Sequence, residues 1–388
     1  MDMDYPLDTG KGVAGRRQMS FALATTKSVI GRWQMSFALL LSLLVPGTGW
    51  AGHTPPAWPA ALEQRLIAVD AAYPGELGVY VKDLSSGASL SFRGDESWYL
   101  ASGIKVPVAI ALLRGIERGD WALDDLLQLE AGDYVDGAGQ TNWHPAGSRL
   151  SIRFLLEQML IHSDNTASDR LIRLVGIDSV NAVARELAPE GLGPITTLAD
   201  VRRHAYSVFH DGAFALSGED FFALRNMRDE RKRIEVLAKL LQVPAADFPA
   251  IDVAAAFESY YATNLNGGRL SAFAQLLEAL VQGRALTAES TDYLLGVLLR
   301  VETGQRRIKA GLPASTRFAH KTGTQVARSC DLGVAITEGE DGPRHLVVAA
   351  CTRGTRLLSQ SERALRGVGE ALEASGVFVP ALPGQEAS

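Results

Sequence analysis

The chain has 388 residues, 47% hydrophobic and 21% charged, which excludes wholesale disorder and suffices for a core without disulfide support. A net charge of −6, from 38 basic and 44 acidic residues, argues against nucleic-acid binding, which usually shows a basic excess. Two cysteines cannot build a zinc ribbon, a cluster-binding set or a disulfide scaffold.

The N-terminus reads as an export signal. Arg32 precedes MSFALLLSLLVPGTGWAG, with an apolar run from Phe37 to Val45, helix breakers at Pro46 and Gly47, and small residues at Gly49 and Ala51. That order suits cleavage after Ala51, and the run is too short for a membrane span of about 20 residues. RQMSFAL at 17–23 echoes RWQMSFAL at 32–39, so residues 1–34 read as an extension from a misplaced start codon. Residues 1–51 are therefore set apart from a single domain over 52–388. Its expected location is periplasmic or secreted, where disulfides are permitted.

In chain order, residues 60–73 have helical spacing at Leu62, Leu66 and Val69. A β-hairpin follows, with alternation at Leu77, Val79, Val81 and then Leu90, Phe92, around Ser85-Ser86-Gly87. An apolar helix is predicted from Ser102 to Arg118. Further helices are predicted at 151–161, 167–175, 178–187, 219–242, 253–262, 269–282 and 287–300. Strands return at 317–322, 331–337 and 345–352, before a last helix at 359–374. Strands from both ends of the chain can form one antiparallel sheet, and consecutive strands argue against a doubly wound fold. The expectation is α+β: a sheet lobe over about 60–100 and 305–380, about five strands flanked by the terminal helices, and a helical lobe over about 101–304 that holds the cleft.

Three short motifs carry chemistry. Ser102-Gly-Ile-Lys105 opens the apolar helix and puts a hydroxyl and an amine on one helical face. A serine hydroxyl needs an adjacent base, and a lysine serves when burial depresses its pKa. VPVAIALL after Lys105 supplies such burial. Ser163-Asp164-Asn165 lies between two helical segments, and Lys321-Thr322-Gly323-Thr324 falls on a strand. Taken singly each reads as a cap or a turn; their order, contexts and spacing are specific.

Together the motifs resemble the active-site set of class A serine β-lactamases and the related penicillin-binding proteins. ASGIKVPVA, HSDNTASDRLIRLVG, GQRRIKAGLPA, AHKTGT and DLGVAI extend the resemblance over about 60–200 and 262–375. It implies a β-lactamase-like fold. It also implies that Ser102 is acylated, that Lys105 takes or relays its proton, and that Ser163 passes a proton to the leaving nitrogen. Asn165 would bind the substrate side-chain amide. Lys321, with Thr322 or Thr324 beside Gly323, would hold the substrate carboxylate. The backbone amides of Ser102 and Thr324 would form the oxyanion hole. The implied substrate is an anionic β-lactam or a D-alanyl peptide end.

One departure stands out. Where class A enzymes carry a deacylating glutamate, this chain has PITTLADVRRHAYSVFH, with Arg202, Arg203 and His204. Residues 205–262 then look like an insertion. Asp200, Asp252, Glu258 and His204 are the alternative bases, though each carboxylate reads more readily as a solvated surface acid and the histidine as structural or exposed. The leading reading is an exported serine β-lactamase. The alternatives are a D-alanyl-D-alanine carboxypeptidase or penicillin-binding protein with slow deacylation, and a non-catalytic sensor or interaction protein.

Within the insertion, Phe221 and Phe222 read as core residues and RDERKR as a solvated face. Cys330 and Cys351 are equidistant from Glu340-Asp341. A hairpin turning there would oppose them at roughly 5 Å, within disulfide reach, and two buried thiols are the other possibility. No metal is expected, because the 7 histidines form no HxH or HExxH pattern, and no organic cofactor, because GLGP at 191–194 follows a helix rather than a strand and is no phosphate loop. A monomer without nucleic-acid or stable membrane partners is expected.

Overall fold

A computed structural model describes residues 57–225, 227, 229–339 and 342–379; the export signal read from residues 1–51 lies outside them. The described chain opens with α1 (Trp58–Ala71), which carries proline in its first turn, where no amide hydrogen is needed. Strands β1 (Glu76–Asp83) and β2 (Ser89–Phe92) form the hairpin. A short strand, β3 (Ser97–Tyr99), then leads through a 3₁₀ turn, Ala101–Ile104, into α2 (Lys105–Arg118). The α-helix begins at Lys105, three residues later than its sequence pattern suggests. Ala101 adopts a left-handed φ of 48°, and the Lys105 amide bonds to the Ser102 carbonyl, so Ser102 stands in a tighter turn. α2 is buried continuously from Lys105 to Leu113, as expected of a helix apolar on all sides, and Gly119 at φ 80° ends it.

Strands β4 (Leu126–Gln128) and β5 (Arg149–Ser151) pair, followed by α3 (Ile152–Ile161), α4 (Asn165–Val175), α5 (Ile177–Leu187) and α6 (Leu198–Ser207). Ser151, Asp164 and Thr197 start three of these helices by accepting amides at Phe154, Ala167 and Asp200. The run predicted as one helix at 219–242 is two: α7 (Gly218–Arg225) and α8 (Glu230–Leu241). Asp229 in the polar block accepts the Lys232 amide and begins a new helix. After α9 (Val253–Tyr261), β6 (Gly267–Arg269) pairs with β3, and α10 (Leu270–Val281) and α11 (Ala288–Leu299) follow. Strands β7 (Arg317–Gln325), β8 (Arg328–Gly339) and β9 (Gly342–Arg353) precede α12 (Leu358–Ala374).

The main sheet has the order β2-β1-β9-β8-β7, antiparallel throughout. Both faces are covered, so β8 is buried without a break from Ser329 to Ile336 and β9 from Leu346 to Thr352. Period-2 alternation sorts β9: Leu346, Val348 and Ala350 pack with α1 and α12, while Val347 and Ala349 join α2 and α10. Each fully buried Leu or Val side chain contributes about 1.5–3 kcal/mol by transfer from water. The β8–β9 register sets Cys330 opposite Cys351, and their sulfurs are bonded.

A third apolar cluster belongs to the 205–262 segment. Tyr206, Phe209, Phe221, Leu237, Phe257 and Tyr260 gather around Tyr99 and Ala101. Phe221 is buried there and Phe222 half-buried. Among the described residues, no helix is long and apolar enough to cross a membrane.

Candidate active site

Three elements bring the motifs together: the Ala101–Ile104 turn with the start of α2, the α3–α4 junction, and the edge strand β7. Gly323 permits the closest approach. A Cβ there would collide with the Leu100 carbonyl oxygen, so only glycine lets β7 lie against the Ser102 turn. Ser102 is half-buried, and among the described residues no hydrogen bond engages its hydroxyl.

Lys105 is wholly buried. Its Nζ donates to the Ser163 carbonyl at 2.6 Å, to Asn165 Oδ1 at 2.8 Å and to Ser163 Oγ at 3.2 Å. Burial lowers its pKa to about 7, against the opposing pull of Asp164 and Asp169. Lys321 is also fully buried, and its Nζ donates to Ser163 Oγ at 3.0 Å and to the Thr322 carbonyl at 2.9 Å. Burial, then the Lys105 and Arg307 charges, hold its pKa well below the ordinary lysine value. The Ser163 hydroxyl therefore bridges two amines, each with a depressed proton affinity.

Ser163 is placed there by backbone that few residues adopt, at φ 62°. Its neighbour fixes it: buried Asp164 accepts the Ala167 amide through Oδ1 and the Thr141 amide through Oδ2, both at 2.9 Å. Asn165 donates to the Asp136 carbonyl at 2.7 Å, which turns its Oδ1 toward Lys105.

Several residues that the motifs did not reveal complete the site. Arg307, buried at 3% exposure, donates to the carbonyls of Gly323 at 2.8 Å and Cys330 at 2.7 Å. Its other arm donates to Thr324 Oγ1 at 2.6 Å. It thereby braces the end of the KTGT strand and adds positive charge beside it. Thr303 shares a hydrogen bond with the Thr322 hydroxyl. Arg202 pairs with Asp136 at 2.9 Å. Asp169 accepts the Leu198 and Ala199 amides at 2.7 and 2.9 Å, holding the start of α6 near Lys105. Burial pushes the Asp169 carboxyl up to about 7, partly offset by those two amides.

Of the four alternative bases, three are in ion pairs and the fourth packs against aromatic rings. Glu258 pairs with Arg328 at 2.6 Å, and Asp200 with Arg203 at 2.7 Å. Asp252 accepts the Ala255 amide and pairs with Arg356. His204 stacks on Tyr260 and meets Phe214 edge-on. Asn266, noted in the sequence only as an echo of a loop pattern, is buried and ties Thr196 to the Tyr260 hydroxyl.

Over residues 61–374 the sequence matches the β-lactamase enzyme family. The chain belongs to that family of hydrolases acting on β-lactams, and its fold is β-lactamase-like. It is 25% identical over 326 residues to β-lactamase AST-1 of Nocardia asteroides, covering 83% of this chain and 84% of that protein. The crystal structure of a β-lactamase from Sphaerobacter thermophilus DSM 20745 is similar, with a TM-score of 0.59 and 25% identity, covering 83% of this chain and 99% of that one. A PBP-A mutant in acyl-enzyme complex with penicillin-G shares the fold, with a TM-score of 0.60 and 21% identity, covering 82% of this chain and 97% of that one.

Proposed function

We propose that the chain opens β-lactam rings through an acyl-enzyme on Ser102. The observation that carries this reading is the Ser163 hydroxyl held between the Lys105 and Lys321 amines. Lys321 and Thr322 attract the substrate carboxylate, and Arg307 stiffens Thr324 beside it. Burial brings the Lys105 pKa down to about 7, which suits it to accept the Ser102 proton as Oγ attacks the lactam carbonyl. The amides of Ser102 and Thr324 receive the oxyanion. When the tetrahedral intermediate collapses, the C–N bond breaks and the nitrogen takes a proton through Ser163. Water then cleaves the Ser102 ester. The reading has the domain at 52–388 exported after removal of residues 1–51, which the bonded Cys330–Cys351 pair supports, because such bonds persist in oxidising compartments.

One observation favours a second reading, slow deacylation in the manner of a penicillin-binding protein or D-alanyl-D-alanine carboxypeptidase. Arg202 and Arg203 stand where the resemblance puts the deacylating glutamate, and the one carboxylate of α6, Asp200, is paired with Arg203. Incubation with a chromogenic cephalosporin, followed by intact-protein mass spectrometry, separates the readings. Steady turnover that vanishes in Ser102→Ala supports hydrolysis. A stoichiometric burst with a persistent adduct supports the second reading. No adduct and no turnover removes both.

A further inference from the structure

A cavity of about 540 Å³ lies between α7, α8 and α9 on one side and the β7–β8 turn and the start of α12 on the other. Thr324 is part of its wall, so the cavity begins where the KTGT motif ends. Its lining is cationic: Arg225, Arg233, Arg328 and Arg356 against one acid, Glu230. Glu230 is occupied by the Val253 amide at 2.6 Å. Arg328 and Arg356 pair with Glu258 and Asp252. Among the described residues, Arg225 and Arg233 have no carboxylate partner; Arg233 donates from Nη2 to the Met227 carbonyl, while its Nε is buried with no hydrogen bond.

The direction of the substrate follows from the chemistry proposed above, on which this inference rests. Ser163, Lys321 and Thr322 serve the leaving nitrogen and its carboxylate, at one end of the motif strand. The acyl half, which stays on Ser102, must then run the other way, past Thr324. A strand advances about 3.3 Å per residue, so the groups beyond Thr324 meet the far end of the acyl side chain.

We propose that this cavity is a subsite for an anionic group on the acyl half of the substrate, and that the enzyme prefers acyl side chains ending in a carboxylate. Arginine suits the role, because its guanidinium meets a carboxylate with two parallel hydrogen bonds. The 205–262 segment, which supplies α7, α8 and α9, is then a specificity element.

The test compares two penicillins made by acylating aminopenicillanic acid with adipic or with hexanoic acid, which differ by a terminal carboxylate. The second-order constant for acylation of Ser102 is measured for each. The expected preference for the adipoyl compound is about two- to fivefold at low ionic strength, the scale of one partly exposed charge pair. It shrinks in high salt, and falls to one or below in Arg225→Glu. Arg233→Gln moves it the same way; should that variant misfold, the exposed Arg225 carries the test. Equal constants in the wild type, or an unchanged preference in Arg225→Glu, overturn the subsite. Failure of both penicillins to acylate Ser102 overturns the underlying reading, and the subsite with it.

Discussion

Arg202 donates to Asp136 across 2.9 Å, and the Asp136 backbone carbonyl in turn holds the Asn165 amide at 2.7 Å. The side chains of this pair are only 14% and 13% exposed. Losing one partner strands a charge of the other sign beside Lys105. Arg202→Ala should therefore lower stability by about 3 kcal/mol, read as a fall in the denaturant midpoint. Arg202→Met combined with Asp136→Leu should recover part of that loss. A single variant as stable as the wild type would count against the pair as a support for Asn165.

The pH dependence follows from Lys105. Burial lowers its pKa from 10.5 to about 7. If it is the base for Ser102, acylation should rise with pH through about 7 and level off above it. Between about 7 and 10.5 the unfolded chain binds more protons at this lysine than the folded one. Its contribution to stability therefore grows with rising pH across that window, and Lys105→Met should remove it. Asp169 raises the Lys105 pKa, so Asp169→Asn should move the acylation midpoint to lower pH. An acylation rate flat from pH 6 to 9 would exclude Lys105 as the acceptor.

Arg307 makes three hydrogen bonds around the end of β7. Arg307→Ala should lower kcat/KM by about tenfold or more, chiefly through KM, since bonds to a charged group contribute about 1.5–3 kcal/mol each. Arg307→Lys keeps the charge but loses the fork, and should fall between the two. Equal kinetics for all three proteins would remove Arg307 from the site.

The bond between Cys330 and Cys351 closes a loop with a sequence separation of 21. Its removal should cost about 3 kcal/mol in the chain-entropy account. Cys330 also touches the site edge, since its carbonyl accepts from Arg307 and its Sγ lies near the Tyr99 carbonyl. Cys330→Ala with Cys351→Ala should therefore lower both the Tm and the acylation rate, measured without reductant. A loss of Tm alone would confine the bond to a structural role.

The three motifs were legible because each is local and each needs particular side chains. The sheet was legible from period-2 alternation at both ends of the chain. Cys330 and Cys351 could be counted to opposite positions of one hairpin. What stayed hidden depends on distant chain. Arg306 and Arg307 are adjacent in the sequence, yet one is exposed and the other buried against β7 and β8, and nothing local distinguishes them. Asp136 sits in a glycine-rich stretch with no motif, and its role arises only where α4 and α6 converge on it. The pairing of β3 with β6 was likewise invisible, because three-residue strands carry too little alternation. The break between α7 and α8 falls in the charged run at 228–233, which holds no apolar position and so carries no periodicity that would show where one helix stops.

The cluster formed by residues 205–262 closes over Tyr99 and Ala101, the latter directly preceding Ser102. Shortening that stretch toward a leaner scaffold would uncover the backing of the Ser102 turn. Engineers who prune it should find that Ser102 loses its footing along with its apolar shelter.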